Sequence, residues 1–205
     1  ASGVLAQDKT EIVKFDFMQR VKDFFALSKP LIVVLLLVTT YSGLVAGSKA
    51  WPSASLTFWT LLGGTLAAAG SSALNQYIDR ELDKNMQRTA KRPLADGRLT
   101  AAEGLSFGLA LCLVSYYVMA GFVNLLAALI SLTGIFYYVI FYSVMLKKAT
   151  VQNIVIGGGA GAIPPMVGWA AATGELGLTA WILFAIVFMW TPPHFWALAI
   201  VRMKD

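Results

Sequence analysis

The sequence reads as an all-α, polytopic transmembrane helical bundle, and three observations carry that reading. Of its 205 residues, 58% are hydrophobic and 13% charged, about half the roughly 25% charge content of soluble domains. The apolar residues gather into blocks of about 20, the length a helix needs to cross a bilayer at about 1.5 Å per residue. The basic residues fall almost entirely between alternate blocks, as membrane topology requires. An ordinary soluble domain is thereby excluded. So is a disulfide framework or a cysteine-based metal centre, because Cys112 is the one cysteine and lies inside an apolar block. The one histidine, His194, makes no His cluster. A formal charge of +5 follows from topology, and no nucleic-acid partner is expected.

Residues 1–30 are read as a cytoplasmic or interfacial segment. Ile12, Phe15, Val21, Phe24 and Phe25 are interleaved with charges, which suggests a helix lying on the membrane surface; a partly disordered tail is the alternative. The segment lacks an apolar signal core. Asp8, Glu11, Asp16 and Asp23 make it too acidic for a transit peptide, so a bacterial inner (plasma) membrane is expected in preference to a mitochondrial one. Six spans follow, over 31–50, 56–74, 101–121, 123–145, 152–172 and 179–201. Trp51-Pro52-Ser53 and Thr173-Gly174-Glu175 are short turns, and 121–124 is barely a turn. Residues 75–100 form a long, densely charged connection, where function is expected. Gly43/Gly47, Gly104/Gly108 and Gly157/Gly161 stand at helical spacing and read as close-packing seams. Fifteen of the sixteen basic residues fall on one face, with Lys49 alone on the other; the positive-inside rule makes that face cytoplasmic.

Within the charged connection, Asn75, Asp79 and Asp83 stand at i, i+4 and i+8. If the second span continues here as a helix, they share one face. Three oxygen donors spread along a helix suit magnesium ions shared with a substrate's phosphates better than a closed protein cage. Arg88, Lys91 and Arg92 follow within five residues, and guanidinium groups bind phosphate oxygens bidentately. Together these residues describe a diphosphate pocket. The alternative is a solvated loop with i,i+4 pairs such as Arg80/Lys84 flanking Asp79 and Asp83.

Asn75-x3-Asp79-x3-Asp83 followed by Arg88-Thr-x2-Arg92-Pro-Leu resembles the first aspartate-rich motif of the intramembrane (UbiA-type) prenyltransferases. Two further stretches are similar to the haem-directed branch of that family. One is 153–169, with Gly157, Gly158, Gly161, Pro164-Pro165 and Gly168. The other is Trp190-Thr-Pro-Pro-His194-Phe-Trp-Ala-Leu-Ala. The resemblance implies about nine transmembrane helices and a second aspartate motif, of which Asp205 is the first residue, so the chain reads as C-terminally incomplete.

The resemblance implies transfer of a farnesyl group from farnesyl diphosphate to a vinyl group of haem b, followed by water addition. It implies Mg2+ on Asn75, Asp79, Asp83 and Asp205, with Arg88, Arg92 and Lys91 on the departing diphosphate. Asn153 falls in the matched stretch and is a candidate substrate contact. His194 either ligates or contacts haem, or hydrogen-bonds carbonyls freed by Pro192-Pro193. Pro164-Pro165 is expected to interrupt the fifth span in the same way, and the glycines before it leave room for a ring or a prenyl tail or serve packing alone. Lys147, Lys148, Arg202 and Lys204 extend the phosphate rim or act as positive-inside anchors. The cluster Tyr137, Tyr138, Phe141 and Tyr142 stabilises a carbocation or packs. Haem A synthase or terminal-oxidase assembly proteins are the protein partners such a product implies. The competing readings are a prenyltransferase for an aromatic acid or quinone precursor, a transporter, and a haem-carrying scaffold. The transporter predicts ionisable groups at mid-span, and the spans nearly lack them.

Overall fold

A computed structural model describes residues 16–146 and 153–201, without the side chains of Ile154 and Ala199. Every regular element in it is helical: α1 (Phe17–Leu27), α2 (Pro30–Ser48), α3 (Ala54–Asp83), α4 (Ala101–Phe122), α5 (Leu125–Phe136), α6 (Asn153–Thr173) and α7 (Leu178–Val201). Five stretches are long and apolar enough to cross a membrane: α2, α4, α5 with its extension to Leu146, α6 from Val155, and α7 as far as Leu198. The expected second span falls short of that apolarity, although it lies within the 30-residue α3. The reason is its content of small and hydroxylated residues, which pack against neighbours. α3 is flanked by α2 and α4, α6 by α2, α5 and α7.

The helix starts follow capping chemistry. Asp16, Ser53, Thr100 and Asn124 each accept a backbone N–H of the first turn with a side-chain oxygen. Thr100 and Glu103 form a reciprocal capping box, and Glu103 also pairs with Arg20 of α1. Asn124 further donates to the Ala170 and Ala171 carbonyls at 2.9 and 3.3 Å, tying the start of α5 to α6. Outward positions are apolar, as a lipid solvent requires; Leu31, Leu35 and Val38 on α2 are 59–75% exposed.

Two of the expected glycine seams form close contacts. A Cβ on Gly168 would lie 1.9 Å from the Thr40 carbonyl oxygen, and one on Gly43 would lie 2.1 Å from that of Pro165. α2 and α6 therefore meet backbone to backbone, which only glycine permits. Gly104 and Gly108 instead make room for the side chains of Leu94 and Leu74. The third seam divides: Gly157 packs on Tyr142, whereas Gly161 faces open space. Gly168→Ala should accordingly destabilise the bundle by about 3 kcal/mol, with Gly161→Ala neutral, read as detergent-solubilised thermal unfolding.

The expected proline interruptions do not occur. Pro164-Pro165 and Pro192-Pro193 lie inside continuous helices. Proline removes a backbone donor, but in a packed membrane bundle neighbouring helices accommodate the freed carbonyls without ending the helix. α5 departs from regularity elsewhere: from Tyr137 to Leu146 it runs on as a π-helix. That wider turn aligns Ser143 with Tyr138, whose carbonyl accepts the Ser143 hydroxyl at 2.9 Å.

Candidate functional site

α3 remains helical to Asp83, so Asn75, Asp79 and Asp83 share one face, as their spacing requires. All three are buried, Asp79 at 2% and Asp83 at 4% exposure. The Asn75 side-chain nitrogen donates to Asp79 Oδ2 and to Ser143 Oγ, each at 3.0 Å. Its oxygen accepts from Lys29 Nζ at 2.9 Å. Asn75 thus orients Asp79 and links it to a cation. One turn on, Arg92 pairs with Asp83 at 2.7 Å, and Thr89 donates to the Asp83 carbonyl at 3.1 Å.

The connection after α3 is anchored by Thr89, Leu94, Ala95 and Leu99, which are buried, while Lys84, Arg88, Lys91, Asp96 and Arg98 stay exposed. Leu94 and Leu99 bury against Leu27 and Ala73, with Phe24, Tyr77 and Phe107 around them. Arg98 pairs with the buried Asp23 of α1 at 3.2 Å and donates to the Lys91 carbonyl. The Gln76 amide donates to the Leu27 carbonyl at 2.9 Å, fixing the end of α1 on α3. In place of the expected i,i+4 loop pairs, Arg80 and Lys84 both pair with the exposed Glu81, at 3.6 and 2.8 Å. Arg80 lies over the Tyr77 ring, and Lys84 bonds Glu81, whose carboxyl that contact holds below its ordinary range.

α1 and this connection border an open, mainly basic cleft of about 400 Å3, lined by Lys22, Lys29, Arg88, Lys91, Arg92 and Arg98 together with Asp23. Of these, Arg88, Lys91 and Arg92 were expected; Lys22, Lys29 and Arg98 were not. Positive-inside topology had already accounted for those three. The signal available for Lys29 was its position directly before Pro30, where the backbone adopts a left-handed φ of 48° and turns the chain from α1 into α2.

A second cavity, about 410 Å3 and mainly apolar, runs between α2, α3, α5, α6 and α7. Tyr138, Tyr142, Ser71 and Ser72 line it toward the charged end; Thr40, Gly64, Ser131 and Val167 line it farther in. Thr191 and Phe195 of α7 contribute to its wall. His194 does not: it sits exposed on α7, with its ring 6.0 Å from Trp190 and 5.9 Å from Phe195. Among the described residues it makes no hydrogen bond to the carbonyls near Pro192-Pro193. Asn153 opens α6 and is half-buried. Lys147, Lys148, Arg202, Lys204 and Asp205 lie outside the described residues.

Among the described residues no three His, Cys, Asp or Glu side chains form a metal cluster. The donor set nonetheless suits a hard divalent cation completed by substrate oxygens, with two buried carboxylates one turn apart beside guanidinium groups.

The model of the UbiA prenyltransferase family matches residues 36–205. The chain belongs to the UbiA prenyltransferase family. It is an integral membrane protein of this family, built from apolar helices. Its relatives include the Protoheme IX farnesyltransferases of Roseiflexus sp. (strain RS-1), 50% identical over 184 residues, and of Gloeobacter violaceus, 51% identical over 183. These matches cover 90% and 89% of this chain but 34% and 60% of the relatives, so the chain spans about a third to three fifths of their length. Two solved structures share the fold. One is a UbiA homolog from Archaeoglobus fulgidus bound to DMAPP and Mg2+, with a TM-score of 0.70 and 18% identity, covering 82% of this chain and 60% of that one. The other comes from work on digeranylgeranylglyceryl phosphate synthase, with a TM-score of 0.73 and 18% identity, covering 83% and 59%.

Proposed function

We propose that this UbiA-family protein transfers the farnesyl group of farnesyl diphosphate to a vinyl group of haem b, making haem O for haem-copper terminal oxidases. The observation that carries the reading is the juxtaposition of two buried carboxylates and a mainly basic cleft with an apolar cavity of prenyl dimensions. Relatives about 50% identical that are named for this activity support the choice of donor and acceptor. Residues 31–205 make up the prenyltransferase domain and residues 1–30 the interfacial segment, with Phe17, Met18, Val21 and Phe25 of α1 in the membrane surface. The charged end faces the cytoplasm of a bacterium.

In this reading the diphosphate lies across the Asp79–Asp83 face and the tail enters the apolar cavity. Asp79 and Asp83 hold Mg2+, with Asn75 orienting Asp79 and with Asp205 as a further candidate ligand. The metal neutralises diphosphate charge when bound. Arg92 exchanges its Asp83 contact for a diphosphate oxygen, and Arg88 and Lys91 meet the remaining charge. Lys147, Lys148, Arg202 and Lys204 are candidates to extend this rim. The C1–O bond breaks, diphosphate leaves with the electron pair, and Tyr138 and Tyr142 present ring faces to the allylic cation. The haem vinyl π pair forms the new bond to C1. Water captures the resulting porphyrin-stabilised cation and loses a proton. Excluding water until then is the task of the apolar walls. His194, on the outer face of α7 beside Trp190, is the candidate haem contact, and Asn153 a candidate substrate contact. The product passes to haem A synthase or terminal-oxidase assembly proteins.

The test supplies full-length protein in nanodiscs with haem b, farnesyl diphosphate and Mg2+, and extracted haem is weighed by mass spectrometry. A gain of farnesyl plus water supports the reading; unmodified haem from folded protein overturns it. In the same assay Ser143→Ala should reduce the rate about tenfold, with a raised Mg2+ requirement, because Asn75 loses the hydroxyl that orients it.

A further inference from the structure

The apolar cavity has a defined depth. Asn75 and Ser143 are joined by a hydrogen bond of 3.0 Å, which puts these points of α3 and the α5 extension at one level, and Lys29, before α2, reaches Asn75 at 2.9 Å through its long side chain. From that level the deepest lining residues on the three elements are Thr40, Gly64 and Ser131. Gly64 and Ser131 lie eleven and twelve positions along their helices, which at about 1.5 Å per residue is about 16 Å. On α6 the deepest lining residue is Val167, next to the glycine that touches the Thr40 carbonyl.

Beyond that depth the described helices close on one another along the bundle axis. Thr40 and Gly168 are in backbone contact. One turn farther, Leu44 joins Met119, Ala127, Ala128, Val167, Ala170 and Ala171 in an apolar core in which Leu44 and Met119 are fully buried. Met119 also fills the space beside Gly63, the neighbour of Gly64.

An isoprene unit adds four main-chain carbons, or about 5 Å when extended at ordinary carbon–carbon bond lengths. Three units therefore reach the floor, and a fourth that continued straight would have to displace the core. We infer that the floor formed by Thr40, Gly64 and Val167, backed by Leu44 and Met119, sets the donor chain length at three isoprene units. This rests on the reading that the cavity holds the donor's tail. Discrimination is steric, because a well-packed core yields little to an added group.

The test needs no acceptor. Non-hydrolysable geranyl, farnesyl and geranylgeranyl thiolodiphosphates are titrated with Mg2+ into full-length protein in nanodiscs, and affinities are read by calorimetry. Wild type should favour farnesyl over geranylgeranyl by about tenfold or more. At Gly64 a Cβ would meet only Leu37 Cδ2, at 3.3 Å, so Gly64→Leu extends into the cavity. It should weaken farnesyl about tenfold and leave geranyl unchanged. Leu44→Ala should deepen the floor and strengthen geranylgeranyl about tenfold relative to farnesyl. Should Leu44→Ala fail to fold, Val167→Ala tests the same floor. Equal binding of farnesyl and geranylgeranyl by wild type, or equal factors for all three ligands in folded variants, overturns the inference alone. Failure of all three to bind overturns the assignment of the cavity to the donor and the inference with it.

Discussion

Replacing Asp79 with asparagine should lower the rate of farnesyl transfer about a thousandfold while leaving the bundle folded. Asp79 is 2% exposed and sits on the α3 face that carries Asn75 and Asp83. Asparagine keeps the shape of the side chain, so the contact from the Asn75 amide can persist. What disappears is a formal charge in a poorly hydrated position, where a metal-binding carboxylate acts on the departing diphosphate. Losing one such electrostatic contribution costs roughly 3–4 kcal/mol in the transition state. Stability should move little or rise slightly, because a neutral isostere relieves the desolvation of a buried carboxylate. Single-turnover formation of haem O, paired with thermal unfolding, separates the two effects. A variant with the wild-type rate would remove Asp79 from the machinery.

Arg92→Gln should act on both quantities at once. The guanidinium lies 2.7 Å from Asp83, whose side chain is 6% exposed, so Arg92 compensates that charge when no substrate is present. Without it, Asp83 is left buried beside a shorter, neutral group. We expect about 2 kcal/mol of lost stability, discounted from the full cost of a stranded buried charge because Arg92 is partly exposed. The diphosphate also loses a bidentate donor, so kcat/KM should fall about a hundredfold. A double-mutant cycle checks the double role. In an Asp83→Asn background the stability loss from Arg92→Gln should nearly vanish while the catalytic loss persists. Full additivity in stability would deny that the two side chains are coupled.

These opposite signs for two charges on one site follow from details of unequal legibility. The register of Asn75, Asp79 and Asp83 was readable because a helical period is the only assumption it needs, and α3 satisfies it to Asp83. Apart from α3, which runs on to Asp83 and is less apolar than a span, the described helix ends fall close to the expected spans for a related reason: in lipid every backbone group must be paired within its helix, so length and hydropathy locate it. Ser143 was not readable. Its approach to Asn75 depends on a π-helical stretch, whose wider turn no apolar periodicity signals. Nor was the cluster of Lys22, Lys29 and Arg98, because topology explains basic residues at this end without asking which of them converge. The expected proline breaks failed because the sequence shows the lost backbone donors but not the packing of the bundle, in which a helix continues across them.

The sequence by itself determined the solvent, the helices and the face of α3 that carries the carboxylates. Those follow from hydropathy, capping and a 3.6-residue period, which act over one helix at a time. Tertiary structure decided what surrounds that face. It brought Lys29 and Ser143 to Asn75 and turned Thr191 and Phe195 toward the apolar cavity while His194 faces out. It also closed the floor of the cavity where Gly168 meets Thr40. Each depends on how closely two backbones approach, and that distance is set jointly by residues far apart in the chain.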